Sequence, residues 1–269
     1  VKVNTYLWNR TIQHTGINGN ATTGRNDNLY VYGLKLRGEA SNMWFSLDIA
    51  KNAGECRGNA GTRCGLAAGD SSNYTGHAGL VELGFNADLA NVGGLSPWFN
   101  AEMGTGRSDS ETGTNDQFQS ISSDWRPGVI NRRFAAAGTG TTGAVVGGNG
   151  TLPNGGQAGS TVGLGNRVVW GLGTTFTPAA MDQLTVGVQA WDFRMQRNDG
   201  SNWNTPAANA HAGNKHIGTE GALTTTWRHS ENVSLGAGAA RFWNGGFIKE
   251  QTAADNPITF FYSDINIRF

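Results

Sequence analysis

Apolar and polar side chains alternate one by one along most of this chain. Near its end, Phe261, Ile265 and Ile267 are separated by polar residues that include Asp264 and Arg268. Successive side chains of a β-strand point to opposite faces, so this pattern predicts a strand with one apolar and one charged face. The pattern occurs in ten segments: 2–10, 28–39, 42–51, 74–86, 96–104, 166–176, 183–194, 216–228, 232–243 and 257–269. The chain is therefore predicted to be all-β, with about ten strands.

The connections between these predicted strands alternate between long and short. The long ones are 11–27, 52–73, 105–165, 195–215 and 244–256, and the short ones are 40–41, 87–95, 177–182 and 229–231. Outer-membrane β-barrels have long extracellular loops and short periplasmic turns. The spacing therefore predicts a transmembrane antiparallel up-and-down β-barrel, a single domain over residues 1–269. It also predicts a location in a bacterial outer membrane, with the C-terminus on the periplasmic side.

The alternation also assigns the two faces of each strand. Side chains such as Tyr30, Phe45, Leu83 and Leu172 are predicted to face lipid, and the intervening polar ones to face the lumen. The pore-lining candidates are Lys35, Arg37, Glu39, Asp48, Glu82, Asn100, Glu102, Arg167, Glu220, Arg228, Asp264 and Arg268. Arg241 is assigned to the same face, although the alternation slips near the outer end of its strand.

Glycine and aromatic residues add two expectations about these faces. Many inward positions are glycine, for example Gly33, Gly84 and Gly173, and we expect them to keep the lumen open and let the strands coil. Aromatic residues near strand ends are expected to form a girdle at the membrane interfaces. They are Tyr6, Trp8, Tyr30, Trp44, Trp98, Trp227, Trp243, Phe261 and Phe269.

Composition agrees with a barrel and excludes several other classes of protein. The 269 residues include 41 Gly, 15% are charged, and the mean hydropathy is −0.38. No run approaches the ~18 apolar residues of a membrane helix, which excludes a helical membrane protein. The formal net charge of +0 does not favour a nucleic-acid partner. The chain begins on a predicted strand without a signal peptide, which favours a C-terminal part of a longer protein over a processed one.

Two clusters of reactive or ligating residues lie in predicted loops. Cys56 and Cys64 share one Gly-rich segment, where their spacing is compatible with a local disulfide or with two free thiols. Asp109, Glu111 and Asp116 form a weak calcium candidate, and a solvated loop explains the same residues. The five histidines show no ligand spacing, so no metal site is predicted beyond this weak candidate.

Catalytic and cofactor patterns are sparse. The run from Gly138 to Gly143 matches G-x-G-x-x-G, but a Gly-rich loop follows it instead of the helix that a dinucleotide site needs. Asp192 and His216 lie near the outer ends of their strands, where a rim-site hydrolase would use such a pair to activate water. No nucleophile motif accompanies them. The sequence therefore predicts no enzyme activity and no cofactor.

Residues 28–38, 96–109, 115–119 and 123–128 resemble the alginate-export family of outer-membrane porins. In that family a strand ends in a short element of a small residue, a glycine and an aspartate. A long loop with an aromatic residue and a Pro-Gly turn follows it. The similarity covers about half of the chain. It implies a porin barrel with more strands than the ten counted here, of which this chain would be a C-terminal portion. It also implies that Arg37, Arg167 and Arg228 are lumen cations, although the charges here are mixed and the family's conduit is strongly cationic.

These patterns predict an outer-membrane channel for passive passage of small or charged solutes, acidic saccharides among them. The 105–165 connection exceeds an ordinary turn and is expected to be a long extracellular loop or to fold into the lumen. The alternatives are a structural or partner-binding barrel without open conductance, such as a sheath around an electron carrier or an adhesin, and a rim-site hydrolase. The expected partners are outer-membrane lipid or lipopolysaccharide and small solutes. A homo-oligomer and a complex with other envelope proteins both stay open.

Overall fold

The computed structural model describes residues 1–12, 27–57, 71–106, 114–119, 127–130, 164–197, 214–247, 249 and 256–269. Thirteen strands lie in these ranges: β1 (Lys2–Ile12), β2 (Asp27–Ala40), β3 (Met43–Arg57), β4 (Ser71–Tyr74), β5 (His77–Phe85), β6 (Ala87–Leu89), β7 (Gly93–Gly104), β8 (Thr114–Asn115), β9 (Arg167–Pro178), β10 (Leu184–Met195), β11 (His216–Arg228), β12 (Val233–Asn244) and β13 (Ile258–Ile267). Among the residues described, none belongs to a helix with the length and apolar character needed to cross a bilayer.

Ten of the strands form one antiparallel meander in which each strand pairs with the next. The order is β1-β2-β3-β5-β7-β9-β10-β11-β12-β13, with β4, β6 and β8 as short additions beside it. The prediction of an all-β, up-and-down antiparallel architecture is therefore confirmed. The short β4–β8 pair departs from it, because these two strands run parallel, with Asn73 opposite Thr114.

Short turns join successive strands at one end of the sheet. β2 passes into β3 through Ser41 and Asn42, and Ser41 has a φ of 55° that closes the two-residue turn. The β6–β7 turn uses Asn91 in the same way, with a φ of 66°. The predicted long connections fall largely outside the described residues.

The register of the ladders assigns every strand residue to a face, because directly opposed side chains point the same way. We call the face that carries Lys35 and Asp48, which oppose each other in β2 and β3, the inner face. The opposite face is the outer face. We followed the opposed pairs from strand to strand across the sheet and continued the alternation of β13 to Arg268. All twelve pore-lining candidates lie on the inner face.

The outer face carries a continuous band of exposed apolar side chains. Its members are Leu7, Tyr30, Tyr32, Met43, Phe45, Ile49, Leu83, Phe85, Phe99, Met103, Trp170, Leu172, Val188, Leu223, Trp227, Trp243, Phe261, Ile265 and Ile267. A soluble protein rarely leaves an apolar patch of this extent uncovered. The band runs from β1 to β13 and marks an interaction surface.

Some sequence-based face assignments were wrong. Tyr6, Trp8, Trp44 and Trp98 lie on the inner face, so they do not belong to an aromatic girdle at the lipid boundary. Arg241 lies on the outer face, opposite Gly221 and Thr259, with its guanidinium 5.8 Å from the centroid of the Trp243 ring. The strands and their parity were predicted correctly, but the girdle prediction was wrong for these four aromatic residues, and the face predicted for Arg241 was wrong.

β1 and β13 stand at the two ends of the sheet. No ladder joins them in the part of the chain that the structure describes. Their outer-face side chains are more exposed than those of strands in the middle of the sheet. Phe261 of β13 is 74% exposed, whereas Leu223 of β11 is 51% exposed. Each terminal strand therefore lacks a neighbour on one side.

Candidate functional site

The inner face divides into two halves of different chemistry. The polar half is the inner face of β1, β2, β3, β5 and β7. It carries more than half of the charged candidates, and a buried cluster of Leu29, Val31, Tyr74, Phe118 and Leu164 lies at its loop end. The apolar half is the inner face of β9 to β13, where buried aromatic and aliphatic side chains cluster. The candidate site is the polar half together with the segment that covers the apolar half.

Charged side chains of both signs meet in the polar half. Lys35 lies 3.5 Å from the carboxylate of Asp48, and the Tyr6 hydroxyl donates a hydrogen bond of 2.7 Å to the same carboxylate. Nearer the turns, a cavity of about 510 Å³ is lined by Lys2, Arg37, Gly38, Glu39, Trp44, Ser46 and Glu82, with Val1 and Phe45 at its edge. The cavity presents cations and carboxylates to one space, which suits small charged solutes better than apolar ones.

Three candidates near the turn end of the sheet stay outside this cavity. Arg228 is exposed, and its guanidinium donates a hydrogen bond of 3.1 Å to the Asp182 carbonyl. Asp264 and Arg268 are exposed on and just after the terminal strand β13. The structure thus brings Arg37, Glu39 and Glu82 together and leaves these three apart.

The apolar half is covered by a short piece of the long 105–165 connection. Val129 and Ile130 pack with Val169, Phe193 and Phe242 in one buried cluster. Phe247, from the β12–β13 connection, joins the same cluster. Burying apolar side chains on both sides of this contact favours the covered arrangement. The prediction that the connection folds into the lumen stays a prediction, because most of its residues lie outside the described ranges.

Glu220 fixes this segment to the wall. Its carboxylate is fully buried and accepts hydrogen bonds from the backbone N–H groups of Val129 and Ile130, the latter at 3.2 Å. Gly128 precedes them with a φ of 79°, a conformation that glycine adopts without strain. Charge-assisted hydrogen bonds of this kind are among the stronger ones in proteins. Glu220 therefore acts as an anchor for residues 127–130, and it is not presented to solutes.

Arg167 is also enclosed rather than presented to a solute. Its guanidinium is buried and donates through Nη1 to the Asn166 carbonyl and to the Met195 sulfur, each at 3.1 Å. Its predicted place on the inner face agrees with the register. Its role as a lumen cation, which the family resemblance implied, is not supported by these contacts.

Inner glycines do not simply leave the lumen open. Aromatic rings from paired strands lie over them: Tyr6 over Gly33, Trp44 over Gly84, Trp98 over Gly173, Trp191 over Gly171, Phe242 over Gly218 and Tyr262 over Gly238. Aromatic side chains that cover cross-strand glycines bury backbone and pin the register. The sequence carries the signal for this, an aromatic and a glycine on matching parity, but the pairs emerge only from the register.

The loop candidates stay partly untested. Asp116 accepts a hydrogen bond from the Thr75 hydroxyl, while Asp109 and Glu111 lie outside the described residues. Cys64 and the Cys56 side chain also lie outside them, so the disulfide stays a prediction. Within the described ranges, no group of three or more His, Cys, Asp or Glu side chains is placed to hold a metal ion.

The rim-site pair lies on the outer face of β10 and β11. The Asp192 carboxylate contacts Arg194 Nε at 2.6 Å and His216 Nε2 at 3.0 Å. The Thr219 hydroxyl lies 3.3 Å from the same His216 nitrogen. A nucleophile triad needs the acid and the hydroxyl on different ring nitrogens. Thr219 is therefore not activated as a triad nucleophile, and the water-activating role of Asp192 and His216 stays a prediction.

Comparison with known proteins adds no family to this picture. No protein-family model matches the chain, and no curated protein matches it. The resemblance to the alginate-export family therefore stays a prediction.

Proposed function

We propose that this chain forms the wall of a bacterial outer-membrane channel for small charged solutes. The observation that carries the proposal is the division of one ten-strand sheet into an exposed apolar outer face and an inner face that carries all twelve polar candidates. Transmembrane barrels need this division because alternate residues face lipid and a polar interior. Short turns at one end of the sheet support the same proposal, with that end on the periplasmic side.

A membrane location requires that the free edges of β1 and β13 be covered. Unpaired strand edges do not occur in the hydrocarbon region, because their N–H and C=O groups would have no partner. We propose that these edges are paired in the membrane, with each other or with further strands of a larger barrel. Either arrangement keeps the inner face enclosed.

The polar half is the proposed solute path. Arg37 and Lys2 oppose each other on β2 and β1, and Glu39 and Glu82 line the same cavity. Charged groups at a constriction select ions by their sign. Because both signs are present, weak selectivity is expected, and acidic saccharides would be held by Arg37 and Lys2.

A second candidate function is a filled barrel with a structural or partner-binding role. The buried cluster around Val129, Ile130 and Phe247 favours it, because this cluster occupies the apolar half. In that case the polar half would contact a partner or a further part of the protein instead of a moving solute.

Single-channel recording in planar bilayers distinguishes an open channel from a filled barrel. The purified chain should give stable open steps, and uronate oligomers should block them at the cavity lined by Arg37. Arg37→Gln should weaken the block several-fold, whereas Arg228→Gln, at an exposed turn position, should leave it unchanged. Folded protein that never conducts would reject the channel and support the filled barrel.

A further inference from the structure

Three side-chain oxygens of the polar half are buried without a hydrogen-bond partner. They are Ser46 Oγ, Asn100 Oδ1 and Glu102 Oε2. Ser46, Asn100 and Glu102 are 3%, 5% and 6% exposed. Buried polar atoms are paired in the great majority of cases, and an exception indicates an unobserved water or ion, or a functional role. Three such oxygens in one region therefore need a common explanation.

The register gathers these oxygens around Glu82. Ser46 of β3 opposes Glu82 of β5, and Glu82 opposes Asn100 of β7, all on the inner face. Directly opposed side chains have Cβ atoms about 4.5–5.5 Å apart. Glu102 follows Asn100 on the same face and opposes Leu80, so it is a diagonal neighbour of Glu82. Four oxygen-bearing side chains on three adjacent strands thus occupy neighbouring positions on the inner face.

This place has a local excess of negative charge. Glu82 and Glu102 are diagonal neighbours on β5 and β7, at about 7–8 Å, where two carboxylates repel each other. Asp48, the next acid along β3, is already held by Lys35 and the Tyr6 hydroxyl. In the described part of the chain, neither Glu82 nor Glu102 forms an ion pair. Two adjacent carboxylates disfavour their joint ionisation unless a cation offsets the repulsion.

We propose that Glu82, Glu102, Asn100 and Ser46 form a binding site for a calcium-class divalent cation. Carboxylate, amide and hydroxyl oxygens are ligands of the hard type that such an ion takes, and Ca²⁺ accepts irregular sets of six to eight. Waters complete the shell, because the cavity lined by Ser46 and Glu82 has room for them. A bound cation satisfies the orphan oxygens and removes the repulsion together.

Two neighbouring features limit the choice of ion. Arg37 opposes Ser46, is exposed and lines the same cavity as Glu82, so it stands on the solvent side of the site. Mg²⁺ demands a regular octahedron, which ligands from three separate strands do not readily supply. This inference does not depend on conductance, because a filled barrel would hold the same four side chains.

Sensitised terbium luminescence tests the site in the detergent-solubilised full chain. Trp44 and Trp98 lie on the inner face, two residues from Ser46 and Asn100, where they can transfer excitation to bound Tb³⁺. Tb³⁺ emission should rise on indole excitation and fall on addition of Ca²⁺. Glu102→Gln should weaken Tb³⁺ and Ca²⁺ binding about tenfold or more, because one ligating carboxylate is lost.

Two further variants make the result independent of folding defects. Asn100→Asp adds a carboxylate and should tighten Ca²⁺ binding, whereas a site without a cation would only gain repulsion. Glu39→Gln changes an exposed acid of the same cavity outside the four ligands and should leave Ca²⁺ binding unchanged.

Two outcomes would overturn the proposal. One is folded wild-type protein that gives no sensitised emission that Ca²⁺ displaces, which would identify Glu102 as a buried neutral acid. The other is an equal loss of affinity in Glu39→Gln and Glu102→Gln, which would indicate diffuse attraction to the acidic wall. Circular dichroism of each variant checks that the strands are intact.

Discussion

At the scale of single residues, position on the inner face does not fix a side chain's role. Glu39 and Glu220 share that face, but Glu39 is exposed beside the cavity and Glu220 is buried under residues 127–130. Arg37 and Arg167 differ in the same way. Burial by a distant segment turns a solute-facing charge into an anchor.

Replacing Glu220 with Gln tests the anchor. Gln keeps the shape but removes the charge that strengthens the two backbone hydrogen bonds, so the hold on residues 127–130 should weaken by about 1.5–3 kcal/mol. Limited proteolysis in detergent should then cut the 105–165 connection faster, and single-channel steps should become larger or noisier. Glu231→Gln, which changes an exposed acid in the β11–β12 turn, is the matched control. Equal proteolysis of wild type and Glu220→Gln would contradict the anchor.

Replacing Gly84 with Ala tests the aromatic cover. A Cβ at Gly84 would collide with the Trp44 ring, whereas one at Gly94 meets nothing within 4 Å. Gly84→Ala should therefore destabilise the folded chain by about 1–3 kcal/mol, the usual cost of overpacking. Urea unfolding in lipid vesicles, followed by tryptophan fluorescence, measures it. If Gly94→Ala loses as much stability as Gly84→Ala, the contact between the Trp44 ring and Gly84 has no special effect on stability.

At the scale of the strand, alternation is the property with the largest consequence. Leu223 and Thr224 are neighbours at the middle of β11, yet they point to the outer and the inner face. A shift of one residue would exchange every outer-face and inner-face side chain. The face assignment of a whole strand can therefore be tested at two adjacent positions.

Arginine at these two positions should give opposite results. Leu223→Arg places a charge at mid-strand on the outer face and should cost about 2–4 kcal/mol of folding free energy in a bilayer. Thr224→Arg places it on the inner face, opposite Gly187 and Gly238, and should cost far less. Unfolding titrations in phosphatidylcholine vesicles measure both. The outer-face assignment fails if Thr224→Arg is the more damaging change.

At the scale of the whole molecule, the turn end and the loop end of the sheet define its direction. Lys215 is exposed beside the loop end of β11, and Glu231 is exposed in the β11–β12 turn. A membrane-impermeant maleimide added to intact cells should label Lys215→Cys above the parent chain, and Glu231→Cys only after the outer membrane is opened. Labelling of Glu231→Cys in intact cells would reverse the proposed orientation.

Much of the fold and part of the site could be predicted without coordinates. The ten main strands, their antiparallel order and the face of all twelve candidates follow from period-two alternation and turn spacing, which are local properties. The β4–β8 parallel pair and the outer position of Arg241 were not predicted. Both lie where alternation weakens near loops, so local pattern carries little information there.

The sequence by itself determined which residues share a face, because the pleat sends alternate side chains to opposite sides whatever the rest of the chain does. Only the tertiary structure decided what each inner residue contacts. Register and the long connections decide three kinds of contact: aromatic rings over glycines, Glu220 buried under Val129, and Glu82 grouped with Ser46 and Asn100. These contacts join residues far apart in sequence, and no local pattern encodes them.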